Sequence, residues 1–421
     1  MVTPEVRTFG PRVTEGSADA GTVAWTRAQM SAFLGARLDP EHLARAGAAF
    51  EGNRLRGAYV DPDPTPVATL RSWDAELTVP GGTVRADVIT GIGVRSTHRR
   101  RGLTDRLLTE DLGAAARAGA AAAVLTSTQG ALYERWGFGL ATRTRPLTVD
   151  TARARFRDPV VRGSLEIVER PDAALALARP IHERARRRHP GALERLASQW
   201  DSVVVGAGPW NGFEVDRQRH VVIWRDDDGR PAGYVVHRVE ESWYATGAAT
   251  LGVVDLQALT PSAYLELWRH LCSQDLVGTV RWSGASTDEP LSWLLTDPRA
   301  AVSGEDDAML WLRVLDVPGL LAARRYPAED ALVVEVDDPL GHARGRWRLD
   351  THDRVAPAVT AASGEPDVVL PATSLGSVVL GGVDPRLLVR AGRLDERSAG
   401  AAGRLARMLA PPTVPWNGTR F

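Results

Sequence analysis

Three arginines run directly into a glycine at Arg99-Arg100-Arg101-Gly102, where an apolar stretch ends and a helical pattern begins. Cationic side chains and a glycine at such a junction could hold an anion. The stretch before them, Val84 to Val94 (VRADVITGIGV), alternates and is rich in Val and Ile, as a buried strand does. After them Leu103, Leu107, Leu108 and Leu112 repeat at helical spacing. A strand that stops at a glycine turn and opens a helix leaves several N–H groups unpaired and aimed at one point. With the helix dipole behind it, that point favours negative charge. The spacing is not that of a Walker loop, and no Gly-x-Gly-x-x-Gly is present. Some thirty residues on comes Tyr133-x-x-x-Gly137-Phe138. A tyrosine phenol, with an ordinary pKa near ~10, suits giving a proton to a basic leaving group.

The elements that must position these groups can be read around them. Residues 15–50 carry helical patterning, broken near Gly35 and Asp39-Pro40. Strands are expected at Leu55–Val60 and Val67–Leu70, and Leu77 to Gly82 should turn into the strand at 84–94. A helix from Thr104, a strand at Ala121–Thr126 and one helical turn over Ala131–Phe138 complete an α/β layer. Ligand would bind where the central strands end. Residues 151–300 repeat the rhythm, with strands at Gly233–Val239 and Leu251–Leu256. Thr260-Pro261 there opens a helix through Leu271 as an N-cap and first-turn pair. That turn has no glycine and one N–H fewer, so a pyrophosphate cannot approach it closely. In residues 301–421, strands are expected at Trp311–Val314, Ala331–Val336, Ala343–Leu349 and Val355–Thr360. Helices are expected at Val317–Arg325, Ser374–Leu380 and Arg397–Leu409. Three prolines among Pro411, Pro412 and Pro415 then make an extended tail ending on apolar Phe421.

Composition narrows the chemistry. All 51 basic residues are arginine, which excludes a Schiff-base lysine and a P-loop lysine. A net charge of −1 gives no bulk field for nucleic acid. One cysteine, Cys272, excludes an internal disulfide framework and a CxxC zinc site, and the histidines lack HExxH spacing, so no metal is expected. The N-terminus has no apolar core, and the alanine-rich 113–125 is too short to span a bilayer. A cytoplasmic protein without a membrane or nucleic-acid partner is expected.

Arg99-x-x-Gly102-x-Thr104 resembles the acetyl-CoA signature of the GCN5-related N-acetyltransferases (GNAT), with Thr where that family usually has Gly or Ala. Tyr133-x-x-x-Gly137-Phe138 resembles its second half. The whole chain resembles the enhanced-intracellular-survival (Eis) family of actinobacterial N-acetyltransferases. The match is carried by Thr97–Leu103, Leu132-Tyr133-x-Arg135-x-Gly137, Leu294–Asp297, Leu310–Arg313 with Val317-Pro318, and Phe421. The resemblance implies an α/β (α+β) architecture of tandem GNAT folds followed by a sterol-carrier-protein-like domain. Its segments would be an acetyl-CoA-binding domain over 1–150, a degenerate one over 151–300, and a C-terminal domain over 301–421 whose tail is catalytic. It implies a homohexamer. It further implies that Ile92, Gly93 and Val94 pair through their backbones with the pantetheine arm, that Arg99, Arg100, Arg101, Gly102, Leu103, Thr104 and Asp105 wrap the pyrophosphate, and that Thr128 and Gln129 flank the arm. Tyr133 would be the general acid and the Phe421 carboxylate the general base. Aminoglycoside-acetylating members carry acids where Ala32 and Arg420 stand here, which argues against a strongly cationic acceptor.

Acetyl transfer to an amine needs a neutral amine, a polarised carbonyl, a protonated thiolate and alignment of the two reactants. A free N–H near Ile92–Val94 could polarise the carbonyl. A terminal carboxylate, with a pKa of roughly 3.5, is a weak base unless partly buried. The expected function is acetylation of a small-molecule primary amine. The alternatives are a protein or peptide amine as acceptor, or a non-catalytic carrier of apolar molecules. Trp25, Trp73 and Phe33 are expected in the core, Cys272 and the histidines as structural, and Arg184–Arg188 as a solvated helix face.

Overall fold

A computed structural model describes residues 4–14, 17–35, 39–157, 161–208, 216–242, 244 and 248–421. Two helices open it. Helix α1 (Ala20–Ala32) starts where the Asp19 carboxylate accepts Thr22 N–H at 2.7 Å. Helix α2 (Pro40–Ala48) is capped in the same way by Asp39 on His42 N–H at 2.9 Å, with Pro40 in its first turn. Leu38, expected at the start of this second helix, lies outside the described residues.

A 13-stranded sheet follows. Its strands are β1 (Glu5–Phe9), β2 (Arg54–Tyr59), β3 (Ala68–Val79), β4 (Gly82–Val94), β5 (Ala122–Leu125), β6 (Gly139–Asp150), β7 (Ser164–Ile167), β8 (Arg219–Arg225), β9 (Pro231–Glu241), β10 (Ala249–Ala258), β11 (Val277–Ala285) and β12 (Asp307–Val314). Their spatial order is β1-β2-β3-β4-β5-β12-β6-β11-β10-β9-β8-β7, and a short strand at Ala301–Ser303 pairs with β6. Most neighbours are antiparallel. The parallel pairs are β4–β5, over 86–89 with 122–125, and β10–β11, over 249–253 with 277–282. Each is followed, after its first strand, by a crossover helix: α3 (Leu103–Arg117) and, further on, the helix Pro261–Cys272.

Helix α3 buries Leu103, Leu107, Leu108 and Leu112 against Leu70 and Ile89 on one face of the sheet. Full burial of such a side chain contributes roughly 1.5–3 kcal/mol. The other face takes α1 and α2, where Trp25, Phe50 and Leu55 pack together. Beyond them on this face Trp73, Val88, Val124 and Leu312 join the core of the C-terminal domain. Alternation along β3 therefore sends Leu70 toward α3 and Arg71 and Trp73 toward α1 and α2.

Strand β12 differs from expectation in place. The strand expected at 311–314 begins at Asp307 and lies between β5 and β6, inside the first sheet rather than in a module of its own. Its apolar Leu310, Leu312 and Val314 are fully buried there. The C-terminal domain after it has its own five-stranded sheet: β13 (Ala331–Asp337), β14 (Gly345–Asp350), β15 (Ala358–Ala361), β16 (Val368–Pro371) and β17 (Asp395–Glu396), in the order β15-β14-β13-β16-β17. One helix there, Ala372–Val378, lies two positions earlier than expected, and two run over shorter spans, Val317–Ala322 and Ala401–Leu409. The last starts late because Gly400, at φ +80°, takes the left-handed conformation before it. Arg186 corrects the expectation of a solvated face at 184–188. It is buried, and binds Glu183 and Glu76, each at 2.7 Å. No helix among the described residues is long and apolar enough to cross a membrane.

Candidate active site

Strands β4 and β5 pair only as far as Ile89 and Leu125, and then diverge. On its other side β4 stays paired to β3, through Thr69 with Gly93 and Ala68 with Val94, past a bulge at Gly91 (φ +64°). Among the described residues, Ile92, Gly93 and Val94 thus present an unpaired backbone edge to the opening between β4 and β5. A Cβ on Gly93 would lie 2.6 Å from the Ala32 Cβ, so the end of α1 rests on this strand.

The loop beyond β4 reverses sharply. Arg100 has φ +62° and Gly102 has φ +71°, both left-handed. Such reversals turn successive N–H groups into an anion-binding concavity. The first helical bond of α3 is Arg106 N–H to Gly102 C=O at 3.0 Å, so the N–H groups of Leu103, Thr104 and Asp105 precede the ladder. A Cβ on Gly102 would meet nothing within 4 Å, which leaves its outer side open to an incoming group. Arg99, Arg100 and Arg101 are exposed and form no ion pair among the described residues, while Arg101 Nη2 donates to Thr97 C=O at 3.1 Å. The concavity, its cations and the open strand edge fit a pantetheine pyrophosphate. The Asp105 carboxylate accepts the Trp136 indole N–H at 3.0 Å, which ties this loop to the tyrosine turn. Thr128 and Gln129 are exposed just after β5.

Tyr133 ends the short helix Gly130–Tyr133 and is half-buried, 6.1 Å from the Trp136 ring and 6.2 Å from Phe138. Burial raises its pKa above the usual 10 and keeps the hydroxyl protonated.

The chain terminus arrives at the same opening. A Phe421 terminal oxygen accepts from Thr126 Oγ1 at 2.9 Å, and Thr126 is the residue after β5. The Phe421 ring meets Trp73 edge-on at 5.7 Å. Upstream, the tail is fixed on the second half of the molecule. Thr413 Oγ1 donates to Arg188 C=O, Trp416 N–H to Pro190 C=O and Trp416 Nε1 to Gly284 C=O, at 2.8–2.9 Å. Arg195 Nε donates to Thr419 Oγ1 at 2.8 Å, and its Nη1 to Asp255 at 2.6 Å. Asn417 and Thr419 are buried. Arg420, by contrast, points outward, 4.0 Å from Asp307.

Sequence reasoning did not single out Thr126 or Arg195, since a lone threonine after a strand and a lone arginine carry no motif. Trp73 is buried as expected but also touches the terminal residue, Trp25 is core, and Phe33 is 42% exposed. Among the described residues no group of His, Cys, Asp or Glu is placed to hold a metal.

Residues 17–141 and 191–314 each match an acetyltransferase (GNAT) domain family, and residues 317–418 match a sterol carrier protein domain. The chain is 36% identical to an N-acetyltransferase of Streptomyces griseus, over 98% of both chains. It is 33% identical to N-acetyltransferase Eis of Mycobacterium tuberculosis, over 80% of this chain and 81% of that one. The crystal structure of Eis1 from Mycobacterium abscessus superposes with a TM-score of 0.83 at 29% identity, covering 99% of this chain and all of that one.

Proposed function

The chain belongs to the Eis-type GNAT N-acetyltransferases, and from that premise we propose that it acetylates a primary amine of a small molecule by direct transfer from acetyl-CoA in a ternary complex. The observation that carries this reading is the convergence of three parts on one opening: the Ile92–Val94 edge, the anion loop and the Phe421 carboxylate. The Ile92–Val94 backbone and the loop 99–105 would hold acetyl-CoA, which supplies an activated acetyl thioester.

The Phe421 carboxylate, close to the buried Trp73 ring, accepts the proton of the acceptor ammonium. The Tyr133 hydroxyl, kept protonated by burial, gives a proton to the departing sulfur. Holding both reactants at the divergence of β4 and β5 makes the encounter effectively unimolecular. The fixed tail, from Thr413 to Thr419, keeps the carboxylate in place without an ordering cost at each turnover. Within this reading the chain assembles as a homohexamer, which sedimentation of the purified protein checks.

The carrier reading fares worse. The apolar interior of the C-terminal domain, lined by Val317, Trp347, Leu370 and Leu405, leaves a cavity of about 10 Å³. That is room for one water molecule, not for a lipid. The test is release of CoA thiol from acetyl-CoA across a panel of small amines and lysine peptides. Turnover with small amines is expected. Turnover with peptides alone would move the acceptor to protein.

A further inference from the structure

Among the described residues the buried arginines of this protein are paired, whereas the partly buried Arg71 is not. Arg56 binds Asp111, Arg195 binds Asp255 and Arg313 binds Asp338, each at 2.6 Å. Arg324 donates to the carbonyls of Val379 and Leu409. Arg71 forms no ion pair or hydrogen bond among the described residues, and its Nε is buried without a partner. Its guanidinium lies over the Phe50 ring at 4.2 Å and the Trp73 ring at 5.5 Å. Burial pushes its pKa down to about 10, which still leaves it charged at neutrality. A second buried donor, Trp73 Nε1, also lacks a partner among the described residues.

The location gives these orphan donors a use. Arg71 and Trp73 share the α1–α2 face of β3, and the Trp73 ring meets the Phe421 ring edge-on at 5.7 Å. One indole thus touches both the Arg71 guanidinium and the terminal residue. An amine seated at the Phe421 carboxylate would present its other end toward a forked cation and an indole N–H. Guanidinium groups bind carboxylates through two parallel charge-assisted hydrogen bonds. No acid stands at position 32 to draw a second cationic group to this side.

We propose that the acceptor carries a carboxylate beyond its amine, and that Arg71, with Trp73 Nε1, binds it. This rests on the amine-acetylation reading and narrows its substrate class to amino-carboxylates whose two ends are separated by a spacer. A polycationic acceptor would leave Arg71 opposed by like charge.

The experiment measures thiol release with the full chain, using the series glycine, β-alanine, 4-aminobutyrate and 6-aminohexanoate, each beside its matched alkylamine. The expected result is a preference of about 10-fold or more in kcat/KM for the longer amino acids over their alkylamines. Arg71→Leu should erase that preference through KM, with kcat for the alkylamine and the KM for acetyl-CoA unchanged, and R71K should restore part of it. Because Arg71 holds no ion pair or hydrogen bond among the described residues, R71L should stay folded, with a Tm close to that of the parent. Equal rates within each pair, or a preference that survives in R71L, would overturn the proposal. Where no amine turns over, calorimetric titration of 6-aminohexanoate into both proteins decides. Binding lost in R71L supports the anion site and counts against acetyl transfer alone, whereas equal or absent binding in both overturns it.

Discussion

The two parallel strand pairs of this molecule share a plan and differ in one turn. After β4 the chain passes through left-handed Arg100 and Gly102, and α3 begins with its first N–H groups open. After β10 it passes through Leu259 and Thr260 in extended conformation and enters its helix at Pro261. There the Thr260 hydroxyl accepts Ala263 N–H at 3.1 Å, and Pro261 has no N–H to offer. A cleft of about 340 Å³ lies beside this second turn, lined by Arg188, Leu259, Thr260, Pro261 and Tyr264. The same topology is kept in both halves, but a helix that caps itself has nothing left to give an anion. The second half instead holds the tail, through Arg195, Pro190 and Gly284, and so serves the first.

Removing the tail's end should separate the halves most sharply. Deletion of Phe421 is expected to lower kcat by about 10²–10⁴-fold and to abolish the acidic limb of its pH profile, with the KM for acetyl-CoA retained. An unchanged pH profile would show that the carboxylate is not the base.

Tyr133→Phe is expected to cost about 10²-fold in kcat. Since burial raises the Tyr133 pKa, the parent's rate should hold as pH rises to 10 and fall only above it, when the acid form is lost. A fall beginning well below 10 would remove Tyr133 from the role.

The turns themselves can be exchanged in kind. Gly102→Val forces a β-branched side chain into φ +71° and should raise the KM for acetyl-CoA about 10-fold or more, through a displaced loop. Thr260→Ala should leave that KM unchanged and cost about 1 kcal/mol of stability, read from denaturant unfolding, because it loses only a cap. If T260A altered the KM, the second turn would not be silent.

Thr419→Val removes the acceptor for Arg195 Nε and keeps the buried volume. A few-fold loss in kcat is expected from a looser tail, with a stability cost of about 1 kcal/mol. No change in kcat would mean that the other anchors suffice.

The smallest effect lies at Glu289 in the second half. Burial raises its pKa to about 8 from 4.5, so its protonated form favours the fold at low pH, and that contribution is lost as pH rises through 8. Glu289→Gln should therefore raise Tm by a few degrees at pH 9 and hardly at all at pH 4.

Strand–turn–helix order was legible in both halves because side-chain periodicity and turn residues are local. Val84–Val94 alternates, Leu103 to Leu112 recur at helical spacing, and Thr260-Pro261 carries a cap signature, so the glycine turn and the self-capped turn could be told apart before folding. Strand β12 was legible as a strand but not in its place, since nothing in DAMLWLRV states that its partners are β5 and β6, more than 150 residues earlier. Arg186 looked solvated within a run of arginines, yet Glu76, its distant partner, buries it.

The sequence by itself determined the family, the anion loop and the tyrosine turn, because each depends on residues within a few positions of one another. Tertiary structure alone decided where the tail ends. Thr126, Trp73 and Phe421 come from three separated places, and only the divergence of β4 from β5, with the tail held across the second half, brings them together. Spacing along a chain encodes local conformation, whereas contacts across a sheet depend on which strands pair, and that is settled by burial summed over the whole core.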